Sequence, residues 1–138
     1  MMPAQSSETP GSPAVTVLVV EDHEASAEGY AQALRNGGYR VQCAKDGYET
    51  LSRLTQSPPD VVVLDLKLPK MDGWELLQRL KGNRTGAEIH VVVVTGDPLP
   101  THHELATSLG ASVVLVKPVT PQDLLSAVQR ALVSGAQV

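Results

Sequence analysis

Four short apolar runs constrain the fold of this chain most, because a polar side chain follows each of them. The runs are Val15–Val20, Val61–Leu64, His90–Val94 and Val113–Val116. Runs of this length and β-branched content are typical of strands buried on both faces of a parallel sheet. The residues that follow them are Glu21-Asp22, Asp65, Thr95 and Lys117. Parallel strands carry their ligand-binding residues at their C-terminal edge, so we expect these side chains to lie close together.

Helical patterns alternate with the strands. Tyr39–Ala44 alternates as a further short strand. Gly and Pro residues mark the ends of the helices. Thr120 is the predicted cap of the last helix, and Pro121 is its first residue. Helical spacing relates Ala27, Tyr30 and Leu34 in the first helix, Leu51 and Leu54 in the second, and Leu105 and Leu109 in the fourth. The residues expected to face inward are Trp74, Leu77 and Leu80 of the third helix and Leu125, Val128 and Leu132 of the last. Five strand–helix units with such short connections predict an α/β fold: a parallel sheet with right-handed crossovers and helices on both faces.

Length and composition set the broad class. A chain of 138 residues fits one domain, which we place at residues 15–134. Residues 1–14 are rich in Ser, Pro and Thr and predict a disordered tail, either natural or the remnant of a linker. The net charge of −4 argues against direct binding to nucleic acid or to anionic membranes. One cysteine, no signal-peptide pattern and no membrane-length apolar run favour a cytoplasmic protein.

The strand-end residues suit phosphoryl chemistry that depends on Mg²⁺. Mg²⁺ takes oxygen ligands and uses one or two carboxylates, which Asp22 and Asp65 can supply, with Glu21 ligating directly or through water. An aspartate can also attack phosphorus and form an acyl phosphate. Lys117 can pair with a phosphoryl oxygen, and Thr95 can donate its hydroxyl to another. Without a cation the three carboxylates repel one another, so at least one carboxyl pKa should be raised.

The same residues carry a family resemblance. Glu21-Asp22, Asp65, Leu68-Pro69, Met71-Asp72-Gly73, Thr95, Gly110-Ala111 and Lys117-Pro118 occur in this order. With them the chain resembles the receiver domains of two-component response regulators, including the chemotaxis regulators. The resemblance implies a flavodoxin-like, five-stranded sheet of order 2-1-3-4-5 and a cis Lys117–Pro118 bond.

The resemblance also implies a role for each site residue. Asp65 is the expected phosphoacceptor. The expected Mg²⁺ ligands are Glu21, Asp22, Asp65 and the backbone carbonyl of Lys67. Thr95 is the expected switch hydroxyl and Lys117 the phosphate-sensing lysine. One position departs from the family pattern, since Val114 stands where an aromatic residue is usual.

Partners follow from the resemblance as well. The expected phosphoryl donor is a histidine kinase or a histidine phosphotransfer protein. The expected output is a changed protein-binding surface on the fourth helix, fifth strand and fifth helix, through which a homodimer could also form. The chain is either a stand-alone receiver or a receiver from a larger protein.

Two alternative functions and two local contacts can also be predicted from the sequence. Val114 gives weight to a scaffold that works without phosphorylation. An aspartate-nucleophile phosphatase would need a second aspartate where Lys67 stands, so we expect no multiple-turnover enzyme. Locally, His102-His103 is expected in a solvated loop. Lys67 and Asp97 are expected to form an exposed ion pair over the phosphate.

Overall fold

Strands and helices alternate throughout the part of the chain that the computed structural model describes, residues 14–82 and 89–136, with side chains to residue 133. The elements are β1 (Thr16–Val20), α1 (Glu24–Asn36), β2 (Arg40–Ala44), α2 (Gly47–Gln56), β3 (Val61–Asp65), α3 (Gly73–Lys81), β4 (His90–Thr95), α4 (Pro100–Ser108), β5 (Val113–Val116) and α5 (Pro121–Ala136). The expected disordered tail, except residue 14, lies outside the described residues. None of the described helices is long and apolar enough to cross a membrane.

The five strands form one parallel sheet in the order β2-β1-β3-β4-β5. This confirms the predicted fold class and strand order. The central strand β3 is buried over its whole length, and the register pairs Asp65 with Val94. Thr95 pairs with Val116 on the next strand. The sheet therefore brings the ends of β3, β4 and β5 to the same level.

Alternate strand residues belong to two separate cores, as expected for strands covered on both faces. One core includes α1 and α5, and its buried residues are Val17, Val19, Leu34, Val61, Val63, Val92, Val94, Leu124, Ala127, Val128 and Ala131. The other includes residues of α2, α3 and α4, and its buried residues are Leu18, Val20, Ala44, Leu54, Val62, Leu64, Met71, Leu76, Leu77, Leu80, Ile89, Val91, Val93, Ala106 and Ala111. The sheet is thereby fixed from both sides.

The helix predicted from Leu105 and Leu109 is present as α4, but its buried residue is Ala106, whereas Leu105 is 45% exposed. In α5, the predicted inward residues Leu125, Val128 and Leu132 belong to or pack against the core, which confirms the prediction. Leu124, Ala127 and Ala131 of the same helix are also buried.

The loop after β3 depends on Gly73, the first residue of α3. A Cβ atom at this position would lie 2.3 Å from the carbonyl oxygen of Leu66, which is closer than two such atoms can approach. Asp72 caps the helix by accepting a hydrogen bond from the Trp74 amide at 3.1 Å. These contacts hold the start of α3 against the loop that follows Asp65.

Candidate functional site

The strand ends gather their polar residues at one edge of the sheet. The Glu21 amide donates to the Ala44 carbonyl at 3.0 Å, which continues the ladder one residue beyond β1. The Lys117 amide donates to the Thr95 carbonyl at 2.8 Å, which continues the ladder beyond β5. The backbone thus positions these side chains beside Asp65, the last residue of β3.

Lys117 joins the two buried carboxylates. Its Nζ lies 3.0 Å from Oδ2 of Asp65 and 3.9 Å from Oε1 of Glu21. The other oxygen of Asp65, Oδ1, accepts a hydrogen bond from the Lys67 amide at 3.0 Å. Both carboxylates are almost fully buried, whereas the Lys117 side chain is 34% exposed. One ammonium therefore serves two acids, and only Asp65 is within hydrogen-bond distance of it.

Ionisation in this cluster is shifted as the sequence predicted, although by a different main cause. Burial raises the pKa of Glu21 above its ordinary value; the His23 amide opposes this, and the Asp65 carboxylate adds to it. The predicted rise is confirmed, but desolvation contributes more than repulsion between the carboxylates. Burial disfavours the Lys117 ammonium, yet its hydrogen bond to Asp65 and the charges of both acids raise the pKa of Lys117.

His23 extends the acidic cluster towards solvent. Its Nδ1 lies 3.2 Å from Oε2 of Glu21 and 3.6 Å from Oδ1 of Asp22. Its amide also donates to Oε2 of Glu21 at 3.1 Å. His23 is the N-cap residue of α1, although its side chain makes no capping hydrogen bond. Glu21 and Asp22 therefore do not cap this helix, an alternative role that acidic residues often have at a helix start.

Thr95 lies at the end of β4, and its hydroxyl is turned towards the following loop. Its Oγ1 accepts a hydrogen bond from the Asp97 amide at 3.0 Å. Oδ1 of Asp97 in turn accepts from the Leu99 amide at 2.9 Å. The hydroxyl proton of Thr95 can still be donated, because this hydrogen bond uses only the oxygen.

The expected ion pair between Asp97 and Lys67 is wrong, because the partners of Asp97 are two histidines. The Asp97 carboxylate pairs with Nδ1 of His102, and the Asp97 carbonyl lies 2.8 Å from Nε2 of His103. Both histidines lie in the first turn of α4 rather than in a loop, although the His102 side chain is exposed as expected. The hydrogen bond from Leu99 and the contact with His102 lower the pKa of Asp97. Asp97 thus pairs with His102 and makes no ion pair with Lys67.

Val114 is half-buried beside the core that includes α2, α3 and α4. It pairs in register with Val93. The Lys117–Pro118 peptide bond is cis, as the resemblance implied.

The donor set fits Mg²⁺. Glu21, Asp22 and His23 place one ligand atom each within 4.8 Å of one another. Oε1 of Glu21 is buried and has no hydrogen-bond partner among the described residues. A buried carboxylate oxygen without a donor is costly unless a cation or water satisfies it. The carboxylates of Glu21 and Asp22 in this cluster are oxygen donors of the kind that Mg²⁺ prefers; Asp65, the third predicted carboxylate ligand, is not a member of the cluster.

Sequence reasoning missed two neighbours of the site. His23 follows the acidic pair directly, so its adjacency in the sequence was an available signal. Tyr30 lies on α1, and burial raises its pKa while the charges of Lys117, Glu21 and Asp65 also act on it. No local pattern connects Tyr30 with Lys117, because the packing of α1 on the sheet brings them together.

A family model, the response regulator receiver domain, matches residues 17–129 of this chain. Response regulator MprA of Mycobacterium tuberculosis is 34% identical over 112 residues, which cover 81% of this chain and 48% of MprA. The chain thus spans about half the length of the curated relatives it matches.

Two solved structures have the same fold. A CheY-like response regulator receiver domain protein from Methanospirillum hungatei is 29% identical with a TM-score of 0.81, covering 91% of this chain and 98% of its own. The BeF3-activated N-terminal receiver domain of Klebsiella pneumoniae RstA is 27% identical with a TM-score of 0.76, covering 85% and 97%.

Proposed function

Since this chain belongs to the receiver domains of two-component response regulators, we propose that it signals through reversible phosphorylation of Asp65. The observation that carries the proposal is the hydrogen bond of 3.0 Å between Lys117 Nζ and Asp65 Oδ2, next to the buried carboxylate of Glu21. The lysine places a positive charge where a phosphoryl group on Asp65 would need one.

Phosphorylation would proceed by attack of an Asp65 carboxylate oxygen on phosphorus. A phosphorus–oxygen bond forms, and the bond from phosphorus to a histidine nitrogen of the donor protein breaks. The leaving imidazole nitrogen then takes up a proton from solvent. Such transfers depend mainly on alignment and charge neutralisation, so few protein groups need to change their protonation.

Glu21, Asp22, Asp65 and the Lys67 carbonyl would hold the Mg²⁺ ion. When bound, Mg²⁺ would supply positive charge in addition to that of Lys117, so that the phosphoryl oxygens are neutralised. Thr95 can donate its hydroxyl proton to a third oxygen. Lys117 would exchange its pairing with Asp65 for one with the phosphoryl group.

We expect Asp65 to lose its phosphoryl group slowly rather than to turn over substrates. An aspartate phosphatase uses a second carboxyl group as general acid, and here Lys67 occupies the position two residues after Asp65. A lysine ammonium is a weak acid at neutral pH and donates protons poorly to a leaving group.

The output surface would be the α4–β5–α5 face. Leu105 of α4 and Val116 of β5 are large apolar side chains that are 45% and 39% exposed. Leu99, in the loop that leads from Thr95 into α4, is also exposed. A protein target or a second copy of the chain could cover them. Three further predictions concern the partners and the location of the protein. They are a histidine kinase or phosphotransfer protein as donor, a cytoplasmic location, and no direct contact with nucleic acid.

Beryllofluoride tests the proposal directly, because the receiver domain of RstA is a BeF3-activated relative. Beryllofluoride with Mg²⁺ should raise the melting temperature of the wild-type chain, since a ligand that binds only the folded state stabilises it. Asp65→Asn should show no such rise. Asp60→Asn is the control: it changes the carboxylate that directly precedes β3, at the end of the strand away from Asp65. It should respond like the wild type. A wild-type chain without a response would support the alternative, a scaffold that is not phosphorylated.

A further inference from the structure

We propose that His23 supplies a nitrogen ligand to the cation held by Glu21 and Asp22, so that this pocket favours divalent transition metals such as Ni²⁺ over Mg²⁺. The inference rests on the proposed function, because it assigns a further ligand to the same cation site. It concerns only the choice of metal and adds no step to phosphoryl transfer.

The geometry of His23 supports direct ligation. Two neighbouring ligands of an octahedral ion with bonds of about 2.1 Å lie about 3 Å apart. Nδ1 of His23 is 3.2 Å from Oε2 of Glu21 and 3.6 Å from Oδ1 of Asp22. These spacings are near that value before any metal is bound, so small side-chain movements suffice to bring one cation into contact with all three atoms.

The second observation is the Glu21 carboxylate itself. Its side chain is 1% exposed, and Oε1 has no hydrogen-bond partner among the described residues. His23 and Lys117 lie on either side of this carboxylate, but Lys117 Nζ stays 3.9 Å from Oε1. Lys117 thus compensates this buried charge only at long range, and a cation bound at Oε2 beside His23 would compensate it more closely.

The chemistry of imidazole then sets the preference. Mg²⁺ takes oxygen ligands and gains little from a nitrogen donor. Ni²⁺, Co²⁺ and Zn²⁺ bind imidazole well, and their affinities for mixed nitrogen and oxygen sites exceed that of Mn²⁺. The His23 side chain is 76% exposed, so a cation can reach it from solvent.

Calorimetric titration with Ni²⁺ and separately with Mg²⁺ tests this assignment on the full chain. His23→Ala should weaken Ni²⁺ binding at least about tenfold, a loss in the range seen when groups around a metal site are altered. Mg²⁺ binding should change by less than about twofold, because its ligands are oxygens. His102→Ala is the matched control, since it removes another partly exposed histidine that pairs with an aspartate.

Pulsed electron paramagnetic resonance of bound Mn²⁺ gives a second, structural measurement. The wild-type chain should show coupling to an imidazole nitrogen, and His23→Ala should abolish it while His102→Ala retains it. Equal losses of Ni²⁺ and Mg²⁺ affinity in His23→Ala, or no loss, would overturn the assignment, as would Mn²⁺ without nitrogen coupling. A wild-type chain that binds no Mg²⁺ would instead count against the proposed function.

Discussion

At the scale of single residues, the burial of Glu21 makes its charged form unfavourable in the folded protein. Its carboxylate is buried beside Asp65, so its ionisation disfavours the folded state when no cation is bound. The proton is held more tightly in the folded state than in the unfolded state. Protonation of Glu21 stabilises the folded state fully below about pH 4.5, the ordinary pKa of the group. This stabilisation is lost as the pH rises through the raised pKa of the folded state.

Glu21→Gln should therefore stabilise the metal-free chain increasingly as the pH rises from acidic to neutral values. Thermal melts in a chelator, compared with the wild type at each pH, measure this difference. Mg²⁺ should raise the melting temperature of the wild type more than that of Glu21→Gln. Glu28→Gln, at an exposed position of α1, should give no pH-dependent difference. A Glu21→Gln difference that stays constant with pH would contradict the assigned ionisation.

At the scale of elements, α5 begins with a reciprocal cap. Oγ1 of Thr120 accepts from the Asp123 amide at 3.0 Å, and Oδ2 of Asp123 accepts from the Thr120 amide at 3.2 Å. The sequence predicted Thr120 as the cap and Pro121 as the first helical residue, and both are confirmed. This helix covers the central strands, so its cap contributes to the stability of the whole domain.

Thr120→Ala should destabilise the chain by about 1 kcal/mol, because an orphan amide at the helix start loses its acceptor. Urea denaturation measures the loss, and Thr120→Ser should restore most of it. Gln122→Ala, at an exposed position in the same turn, should change stability by less than about 0.5 kcal/mol. Equal effects of Thr120→Ala and Gln122→Ala would argue that the cap contributes nothing.

The β4–α4 connection is the element we expect to respond to phosphorylation. The Thr95 hydroxyl accepts from the Asp97 amide, and Asp97 binds His102 and His103 of α4. If Thr95 turns towards a phosphoryl group, the contact with Asp97 is lost and the start of α4 is released. Val114 has no large ring to move and one stiff side-chain torsion, so it should change little.

Backbone chemical shifts of the free and beryllofluoride-bound chain test this expectation. The largest changes outside the pocket should fall on residues 96–105, with small changes at Val114. His102→Ala should enlarge the motion of this segment in the free chain without abolishing ligand binding. Changes centred on Val114, with residues 96–105 unmoved, would contradict the proposed switch.

At the scale of the whole molecule, the sheet was predictable because its signals are local. Runs of Val mark the strands, and Gly and Pro mark the helix ends, so the parallel α/β fold could be predicted from them. The strand order was implied by the family resemblance, and both predictions are confirmed. Contacts between elements were harder to predict. The pairing of Asp97 with His102 and the approach of Tyr30 to Lys117 depend on how helices pack, which no short sequence pattern records. Likewise, the spacing of Leu105 and Leu109 predicted α4, but it did not reveal that Ala106 is the buried residue of this helix.

Among the acids at the edge of the sheet, we expect Asp65 alone to be phosphorylated. Incubation with acetyl phosphate and Mg²⁺ tests this most directly. Intact-mass analysis should show one added phosphoryl group per chain, removable by hydroxylamine as expected of an acyl phosphate, and peptide mapping should locate it on Asp65. Asp65→Asn should gain none, whereas Asp60→Asn should match the wild type. Phosphorylation of Asp65→Asn at the wild-type rate, or a phosphoryl group mapped to another residue, would contradict the account.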